Sequence, residues 1–373
     1  MTAEAAGQAP TSCSIVIRAN NEEQHIARLL QGICEQCLPD IEVILVDSGS
    51  TDRTVAIAEA FFDNFNPSPD TPPRRNDFDP SPDTLPRSND FDPSPDTLPR
   101  SNDFSRYQRS LKLVHIHPED FTFGYALNQG LAHATRELVV IASAHVYPVY
   151  PDWLEHLLRP FADPQIALAY GKQRGDLTSR FAEGQIFHHW YPDRSQARQP
   201  YPFCNNANAA IRRSLWEGHR YDETLPGLED LEWGHRMMGL GYAISYVAEA
   251  EIVHVHNETP RRVYNRYRRE AMAFKRIFPQ EHFHWWDVLR HFSANALSDL
   301  AHAIRQRQLT AHFADILWFR WMQFWGTYQG YRRSGPLTWQ LRQTFYYPRG
   351  MGAAGGTPAR DIAPIQYHDQ TKE

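Results

Sequence analysis

Two apolar runs near the start of the chain each end abruptly in a polar turn and lead into a helical pattern. They occupy residues 14–23 and 41–54, and apolar residues recur at helical spacing over 26–33 after the first of them. Strands that alternate with helices are typical of βαβ units, which build parallel sheets. The same texture extends to about residue 260. The sequence therefore predicts an α/β domain over 12–260, with a Rossmann-like mixed, mainly parallel sheet flanked by helices.

An internal repeat interrupts this predicted domain. Residues 63–75, 76–88 and 89–101 are thirteen-residue copies rich in Pro and Asp. Such units are too short to stack as a solenoid, and they hold too little apolar surface to offset the entropy of ordering. We predict that residues 63–104 form a disordered surface insertion, and a partner-binding role for it stays open.

The region over 261–350 is predicted to be a helical extension with many aromatic residues. Its tryptophans, which alternate with arginines, include Trp285, Trp286, Trp318, Trp321 and Trp325. Such helices either pack on the main domain or lie at a membrane surface. Peripheral membrane contact through 280–340 therefore stays open beside simple packing. Residues 351–373 are predicted to be a flexible tail.

The overall charge and the hydropathy pattern exclude two broad classes. The formal net charge is −6, so the chain offers no basic footprint for nucleic acid. Residues 1–10 lack the charged and apolar regions of a signal peptide, and no stretch reaches the about 18 apolar residues of a membrane span. The expectation is a cytoplasmic protein, with peripheral attachment to the inner face of the membrane left open.

Polar side chains follow both early strands at the point where each strand ends. In a parallel sheet, the carboxyl ends of the strands form the ligand crevice. Asn20 and Glu22 follow the first strand, and Asp47 ends the second. A carboxylate placed there accepts hydrogen bonds from a nucleobase or a ribose, and Gly49 lets the backbone approach a ligand closely. Helix capping is the other interpretation of Asn20, and the two roles are compatible.

The two turns together resemble a known family. Ile-Arg-Ala-Asn-Asn-Glu-Glu at 17–23 and Val-Asp-Ser-Gly-Ser-Thr-Asp at 46–52 resemble the nucleotide-binding half of bacterial family 2 glycosyltransferases, which have the GT-A fold. The resemblance implies that Glu22 and Asp47 hold the nucleoside and that Ala19 and Asn20 line the base pocket. It further implies an inverting hexosyl- or deoxyhexosyl-transferase of polysaccharide biosynthesis in the cell envelope. The partners implied are a nucleotide-sugar donor and a glycan or lipid-linked acceptor.

Two later asparagines match further segments of the family. Residues 123–130 resemble the segment before the central strand, where Asn128 would approach the donor. A helix-surface role for Asn128 is an equal alternative. Residues 202–213 resemble the acceptor-side strand, which implies that Asn206 lines the sugar pocket.

A departure from the family lies at the end of the central strand. Family members carry Asp-x-Asp there to bind a divalent metal, whereas this chain has Ser143, Ala144 and His145. The resemblance implies that the three positions line the donor and that His145, with His254 and His256, binds Mn²⁺ or Mg²⁺. Imidazole suits Mn²⁺ or a similar ion, whereas Mg²⁺ prefers oxygen. His145 as a phosphate-binding group, or a site without metal, stays open.

An acidic pair begins a predicted helix at Glu229 and Asp230. Acidic residues there also suit the helix dipole without any catalytic role. The family resemblance implies that Asp230 is the general base, which takes the proton of the acceptor hydroxyl. It implies that Glu229 orients the acceptor, and Glu232 and Trp233 are further candidates for acceptor contact.

We expect an active inverting glycosyltransferase. The alternative is a catalytically inactive nucleotide-sugar-binding protein of the same fold, which the missing Asp-x-Asp motivates. The retained acidic pair favours the enzyme, because a protein that only binds the donor needs no base there.

Overall fold

The computed structural model describes residues 10–65, 108–176, 178–256, 258–332 and 362–367. The thirteen-residue repeats predicted over 63–104 lie, beyond residue 65, outside the described residues, and so does most of the predicted tail.

A single eight-stranded sheet forms the centre of the described chain, in the order β3-β2-β1-β4-β7-β6-β8-β5. Its strands are β1 (Ser12–Ala19), β2 (Asp40–Asp47), β3 (Gln108–His115), β4 (Leu138–Ser143), β5 (Val146–Pro148), β6 (Ile166–Arg174), β7 (Asn208–Arg212) and β8 (Ala243–His254). The four strands β1, β2, β3 and β4 are parallel to their neighbours among one another, and β6 is parallel to β8. β7 is antiparallel to both of its neighbours, and β5 is antiparallel to β8. The predicted mixed, mainly parallel sheet is confirmed.

Helices cover both faces of this sheet. They are α1 (Ile26–Cys34), α2 (Thr54–Phe65), α3 (Phe123–His133), α4 (Trp153–Leu158), α5 (Phe181–Trp190), α6 (Arg213–Gly218) and α7 (Glu229–Gly239). Side chains alternate along a strand, so Ile15 and Ile17 face the core under α1, α2 and α4. Val16 faces the opposite core, under α3 and α7. The apolar runs of the sequence thus become strands that are buried on both faces.

Three further helices, α8 (Pro260–Ile277), α9 (Trp285–Arg305) and α10 (Leu309–Arg332), form the predicted C-terminal extension. Val263 and Tyr267 of α8 pack with Phe319 of α10 in an apolar cluster. Gly326 allows this close approach, because a Cβ atom there would lie 2.5 Å from the carbonyl oxygen of Tyr264. None of the described helices combines the length and the apolarity needed to cross a membrane.

Part of the predicted tail contacts the main domain. Residues 362–367 run past β5, where the Ile365 N–H donates to the Val149 carbonyl at 3.0 Å. The Tyr367 hydroxyl donates to the Pro148 carbonyl.

The strand directions bring distant segments of the chain to one edge of the sheet. β1, β4 and β8 all end at this edge, and β7 begins there because it runs the opposite way. The apolar segment over 137–148 forms two strands, β4 and β5, and Ala144 and His145 lie between them. β8 ends at His254, so the turn after β8, and not the alternation of side chains along a strand, positions His256.

Candidate active site

A cleft of about 770 Å³ opens at the edge where β1, β4 and β8 end. Its walls are the turns after these strands, the residues before β7, the start of α7 and one face of α8. This is the edge at which parallel sheets bind ligands. Its charged and histidine side chains are Arg18, Glu22, Glu23, His25, Asp52, His145, Glu229, Asp230, His254, His256, Glu258, Arg262, Arg266, Arg269 and Glu270.

The turn after β1 is tied to the turn after β2. The Asn20 Nδ2 group donates to the Ser48 carbonyl at 2.9 Å, and the Asn21 Oδ1 atom accepts from the Thr51 N–H at 2.8 Å. Asn21 adopts a left-handed backbone with φ of 57°, which asparagine tolerates better than most residues. The two turns therefore form one rigid wall of the cleft.

Three imidazoles converge at the end of β4 and β8, and we name His145, His254 and His256 the histidine cluster. One ring nitrogen from each lies within 4.8 Å of the others. The rings of His254 and His256 have centroids 4.0 Å apart, and those of His145 and His254 stack at 5.1 Å. The structure thus brings together the three residues that the sequence predicted as metal ligands.

Each ring of the histidine cluster is oriented by a side-chain oxygen. The Nδ1 atoms of His145, His254 and His256 lie 2.8 Å from oxygens of Glu22, Gln173 and Glu183, respectively. A neutral imidazole that donates from Nδ1 keeps the lone pair on Nε2. The Nε2 atom of His254 is buried and has no hydrogen-bond partner among the described residues.

Burial favours the neutral form of two of these rings. It lowers the pKa of His254 well below the ordinary value, and the neighbouring His256, His145 and Arg266 lower that pKa further. The pKa of His256 is also well below the ordinary value because of burial, Arg266 and His145. Neutral imidazoles whose second nitrogen donates to an oxygen are the arrangement found at metal sites. The histidine cluster therefore fits a divalent cation.

Glu229 and Asp230, which we name the acidic pair, lie at the first turn of α7 in the same cleft. The Asp230 Oδ2 atom accepts from the Asn206 N–H at 3.0 Å, and the Glu229 Oε1 atom lies 3.2 Å from the Arg18 guanidinium. Burial, together with the charge of Glu229, raises the pKa of Asp230 to about 7. A carboxylate with that pKa is suited to accept a proton near neutral pH.

The charges that line the cleft do not favour a diphosphate by themselves. The lining holds seven carboxylates against four guanidinium groups. Burial raises the pKa of Glu258 and of Glu270 as it does that of Asp230, so the described lining is at most close to neutral. A bound cation would supply the missing positive charge.

Most of the predicted residues nearest the chemistry line this cleft. They are Asn20, Glu22, Ser143, Asn206, the acidic pair and the histidine cluster. Topology explains the agreement, because these residues follow β1, follow β4, precede β7, begin α7 and end β8.

Other predicted donor-binding residues support the wall without lining the cleft. The Asp47 carboxylate accepts from the N–H groups of Gly49 and Ser50, at 3.2 Å and 3.1 Å. Gly49 has φ of +81°, which explains why glycine occupies this turn. The Ala19 carbonyl accepts from the Ser48 N–H at 3.1 Å. Donor contact by Ala19, Asp47 or Gly49 stays a prediction.

Asn128 lies outside the lining and its side chain is fully engaged. It is buried in α3, where its Nδ2 group donates to the Tyr221 carbonyl at 3.0 Å and its Oδ1 atom accepts from the Trp216 indole at 2.8 Å. It is therefore neither on the helix surface nor directed at the cleft, and its predicted donor contact receives no support from this geometry.

Three further predicted residues also lie outside the lining. Glu232 pairs with Arg236 at 2.9 Å on α7. Trp233 is fully buried and its indole N–H donates to the His219 carbonyl at 2.6 Å. Ala144 is fully buried in the core. Position on the helix separates Glu232 and Trp233 from the acidic pair, because α7 turns them away from the cleft.

Arg18 and Phe123 line the cleft as well, and the sequence analysis missed both of them. The Arg18 guanidinium stacks on the Phe123 ring at 4.9 Å, and the Arg269 guanidinium stacks on the same ring at 4.8 Å. An arginine inside the otherwise apolar strand of residues 14–19 was a signal for Arg18, because a buried charge needs a partner. Phe123 had no comparable signal in the sequence.

A family model described as glycosyl transferase family 2 matches residues 14–71 and 92–218. The match omits residues 72–91, which lie inside the thirteen-residue repeats. This is where an insertion into a common domain would interrupt an alignment.

Two proteins of known function are similar in sequence. The O-antigen chain rhamnosyltransferase WbaN of Salmonella anatum is 29% identical over 166 residues, which cover 42% of this chain and 53% of that protein. The O-antigen chain rhamnosyltransferase RfbN of Salmonella typhimurium is 26% identical over 172 residues, or 43% of this chain and 54% of that protein. The chain thus spans about half the length of the curated relatives it matches.

Among solved structures, the mannosyltransferase PcManGT from Pyrobaculum calidifontis in complex with GDP-Man and Mn²⁺ is similar in fold. Its TM-score is 0.50 at 20% sequence identity, over 86% of this chain and 84% of that one. This likeness supports the GT-A fold that the two turn motifs implied.

Proposed function

We propose that this chain, which belongs to glycosyl transferase family 2, transfers a sugar from a nucleotide-sugar donor to a hydroxyl group by single displacement with inversion. The observation that carries the proposal is Asp230, a buried carboxylate in the cleft whose pKa is raised to about 7. A protein that only bound the donor would have no use for a proton acceptor there.

In this mechanism Asp230 is the general base. Its carboxylate takes the proton of the acceptor hydroxyl as the hydroxyl oxygen bonds to the anomeric carbon, and the bond to the nucleoside diphosphate breaks on the opposite side. The Asn206 N–H bond and the start of α7 fix the position of the carboxylate. Glu229, held by Arg18, is placed to orient the acceptor.

The donor is proposed to bind against the wall formed by Asn20, Glu22 and Ser143, which line the cleft beside the histidine cluster. When bound at the histidine cluster, a divalent cation would stabilise the charge of the departing diphosphate. Three imidazoles suit a transition-metal ion better than Mg²⁺, which prefers oxygen ligands. Of the two ions proposed from the sequence, Mn²⁺ is therefore favoured.

The sugar and the acceptor are proposed from the relatives. Since WbaN and RfbN are O-antigen chain rhamnosyltransferases, we propose a hexosyl or deoxyhexosyl donor and a glycan or lipid-linked acceptor of cell-envelope polysaccharide. Such acceptors lie at the inner face of a membrane, and we propose peripheral contact there through residues 280–340.

The test is nucleotide release from a panel of UDP-, GDP- and dTDP-sugars, with and without Mn²⁺, in the presence of envelope glycan acceptors. We expect release with one donor class, dependence on the metal, and a product anomer of opposite configuration by NMR. Tight donor binding without any turnover would instead favour the catalytically inactive alternative. A product of retained configuration would exclude single displacement.

A further inference from the structure

Exposed apolar side chains are concentrated on the hairpin formed by α9 and α10. Ten large hydrophobic side chains are exposed among the described residues, and seven of them lie on these two helices. They are Trp285, Trp286, Leu289, Leu297, Ile304, Phe313 and Trp321. Proteins that stay monomeric in water seldom expose apolar side chains in such a group, and this exposure therefore favours a partner for this surface.

The α9 members of this group share one face of the helix. Leu297 and Ile304 follow Trp286 by 11 and 18 residues, which are close to three and five full turns at about 3.6 residues per turn. These three side chains are 67%, 67% and 60% exposed. The stripe therefore runs for roughly 27 Å along the helix at about 1.5 Å per residue.

The second helix of the hairpin continues the same surface. Trp321 of α10 packs edge-on against Phe292 of α9, with ring centroids 5.6 Å apart. Phe313 lies eight residues before Trp321, which is close to two turns, so both belong to one face of α10. We name the exposed side chains of α9 and α10 together the hairpin face.

The charges around the hairpin face are of one sign. Three of the four acidic residues in 281–332 are buried, and the fourth, Asp315, pairs with Arg180 at 3.2 Å. The exposed charged residues between the start of α9 and the start of α10 are arginines, at positions 290, 305 and 307. An apolar stripe with aromatic residues and a basic border is typical of a helix that lies in the surface of a bilayer.

We propose that the hairpin face docks on a membrane surface that contains anionic lipid. Tryptophan side chains suit the boundary between headgroups and acyl chains, and arginines are attracted to anionic headgroups. A second copy of the chain fits less well, because a symmetric contact would bring the same arginine border against itself.

The docked hairpin would be joined to the cleft through α8. α8 presents Arg262, Arg266 and Arg269 to the cleft, while Val263 and Tyr267 pack towards α10. One helix layer, about 8–10 Å between axes, therefore separates the cleft from the hairpin. Resting on the proposed function, this inference assigns the acceptor to the class of saccharides carried on a membrane lipid.

The experiment is flotation of the full chain with vesicles of equimolar phosphatidylcholine and phosphatidylglycerol, against vesicles of phosphatidylcholine alone. The test variant is Leu297→Glu on the hairpin face, and the matched control is Leu240→Glu, since Leu240 is 53% exposed outside the hairpin. We expect binding to the anionic vesicles that weakens in high salt. Leu297→Glu should lower the bound-to-free ratio by about tenfold or more, and Leu240→Glu should leave it unchanged.

Failure to float with anionic vesicles, or an equal loss in the Leu240→Glu control, would overturn the proposal. So would a wild-type dimer in solution that Leu297→Glu converts to a monomer, because a second copy would then cover the hairpin face. Binding of a nucleotide sugar is measured on the same samples without vesicles. That binding should be unchanged in Leu297→Glu, so failure of docking is distinguished from failure of the proposed function.

Discussion

His254 of the histidine cluster and Asp230 of the acidic pair line the same cleft and are both buried, but burial shifts their pKa values in opposite directions. Burial disfavours whichever form carries charge. It lowers the pKa of His254 well below its ordinary range and raises the pKa of Asp230 to about 7. Neutral imidazoles offer lone pairs to a cation, whereas a carboxylate of raised pKa accepts a proton near neutral pH. One physical cause thus prepares two groups of residues in the cleft for two tasks.

The largest effect expected from this division concerns the acidic pair. Asp230→Asn keeps a side-chain oxygen that can accept from the Asn206 N–H but removes the proton acceptor. Transfer should fall by about 10²–10⁴-fold, the usual contribution of a general base, while calorimetric donor binding stays intact. Asp222→Asn is the control, because Asp222 caps its own turn and does not line the cleft. Retained transfer in Asp230→Asn would remove the base from this account.

The complementary change removes a ligand from the histidine cluster. His254→Ala should weaken Mn²⁺ binding by more than the about 10–100-fold that follows loss of an outer partner, as measured by titration calorimetry. His156→Ala is the control, since His156 pairs with Asp152 away from the cleft. Equal metal affinity in the two variants would contradict the assigned ligands.

A smaller effect is expected from the residue that orients His256. The Glu183 Oε1 atom accepts from His256 at 2.8 Å and contacts Arg266 at 2.7 Å. Glu183→Ala should weaken metal binding by about 10–100-fold, and Glu183→Gln should recover part of it because the amide oxygen still accepts. If Gln and Ala variants bind metal equally poorly, orientation of the ring is not the role of Glu183.

The smallest effect is a shift in pH dependence. A base must be deprotonated to act, so kcat/KM should rise with pH through about 7 and level off above it. Two causes raise the pKa of Asp230, of which burial is the larger and the charge of Glu229 is the second. Glu229→Gln should therefore move the midpoint to lower pH, whatever its effect on the maximal rate. A midpoint that stays fixed or rises would contradict the coupling of the acidic pair.

Only part of this site could be predicted from the sequence. Asn20 and Glu22 could be placed because they follow an apolar strand, and parallel strands end at one edge. The acidic pair, His145 and His254 were placed by the family resemblance. Asp47 was placed at the correct turn, but its carboxylate is used by the N–H groups of Gly49 and Ser50.

What escaped prediction depends on tertiary packing. Gln173 and Glu183 stand on β6 and α5 without any local pattern, and only the folded chain brings them to the histidine cluster. Asn128 is a polar residue of a type that usually lies on a helix surface, yet the segment around Tyr221 covers it. Helical spacing alone could not show which face of α9 stays uncovered, because that depends on how α8 and α10 pack.

The most direct test of the separate roles of the histidine cluster and the acidic pair is an anomalous difference map from crystals soaked with Mn²⁺ and the nucleoside diphosphate identified in the release assay. We predict one strong peak within coordination distance of the ring nitrogens of the histidine cluster, with a diphosphate oxygen beside it and the acidic pair free of metal. A peak on Glu229 and Asp230, or none at the histidine cluster, would contradict the account.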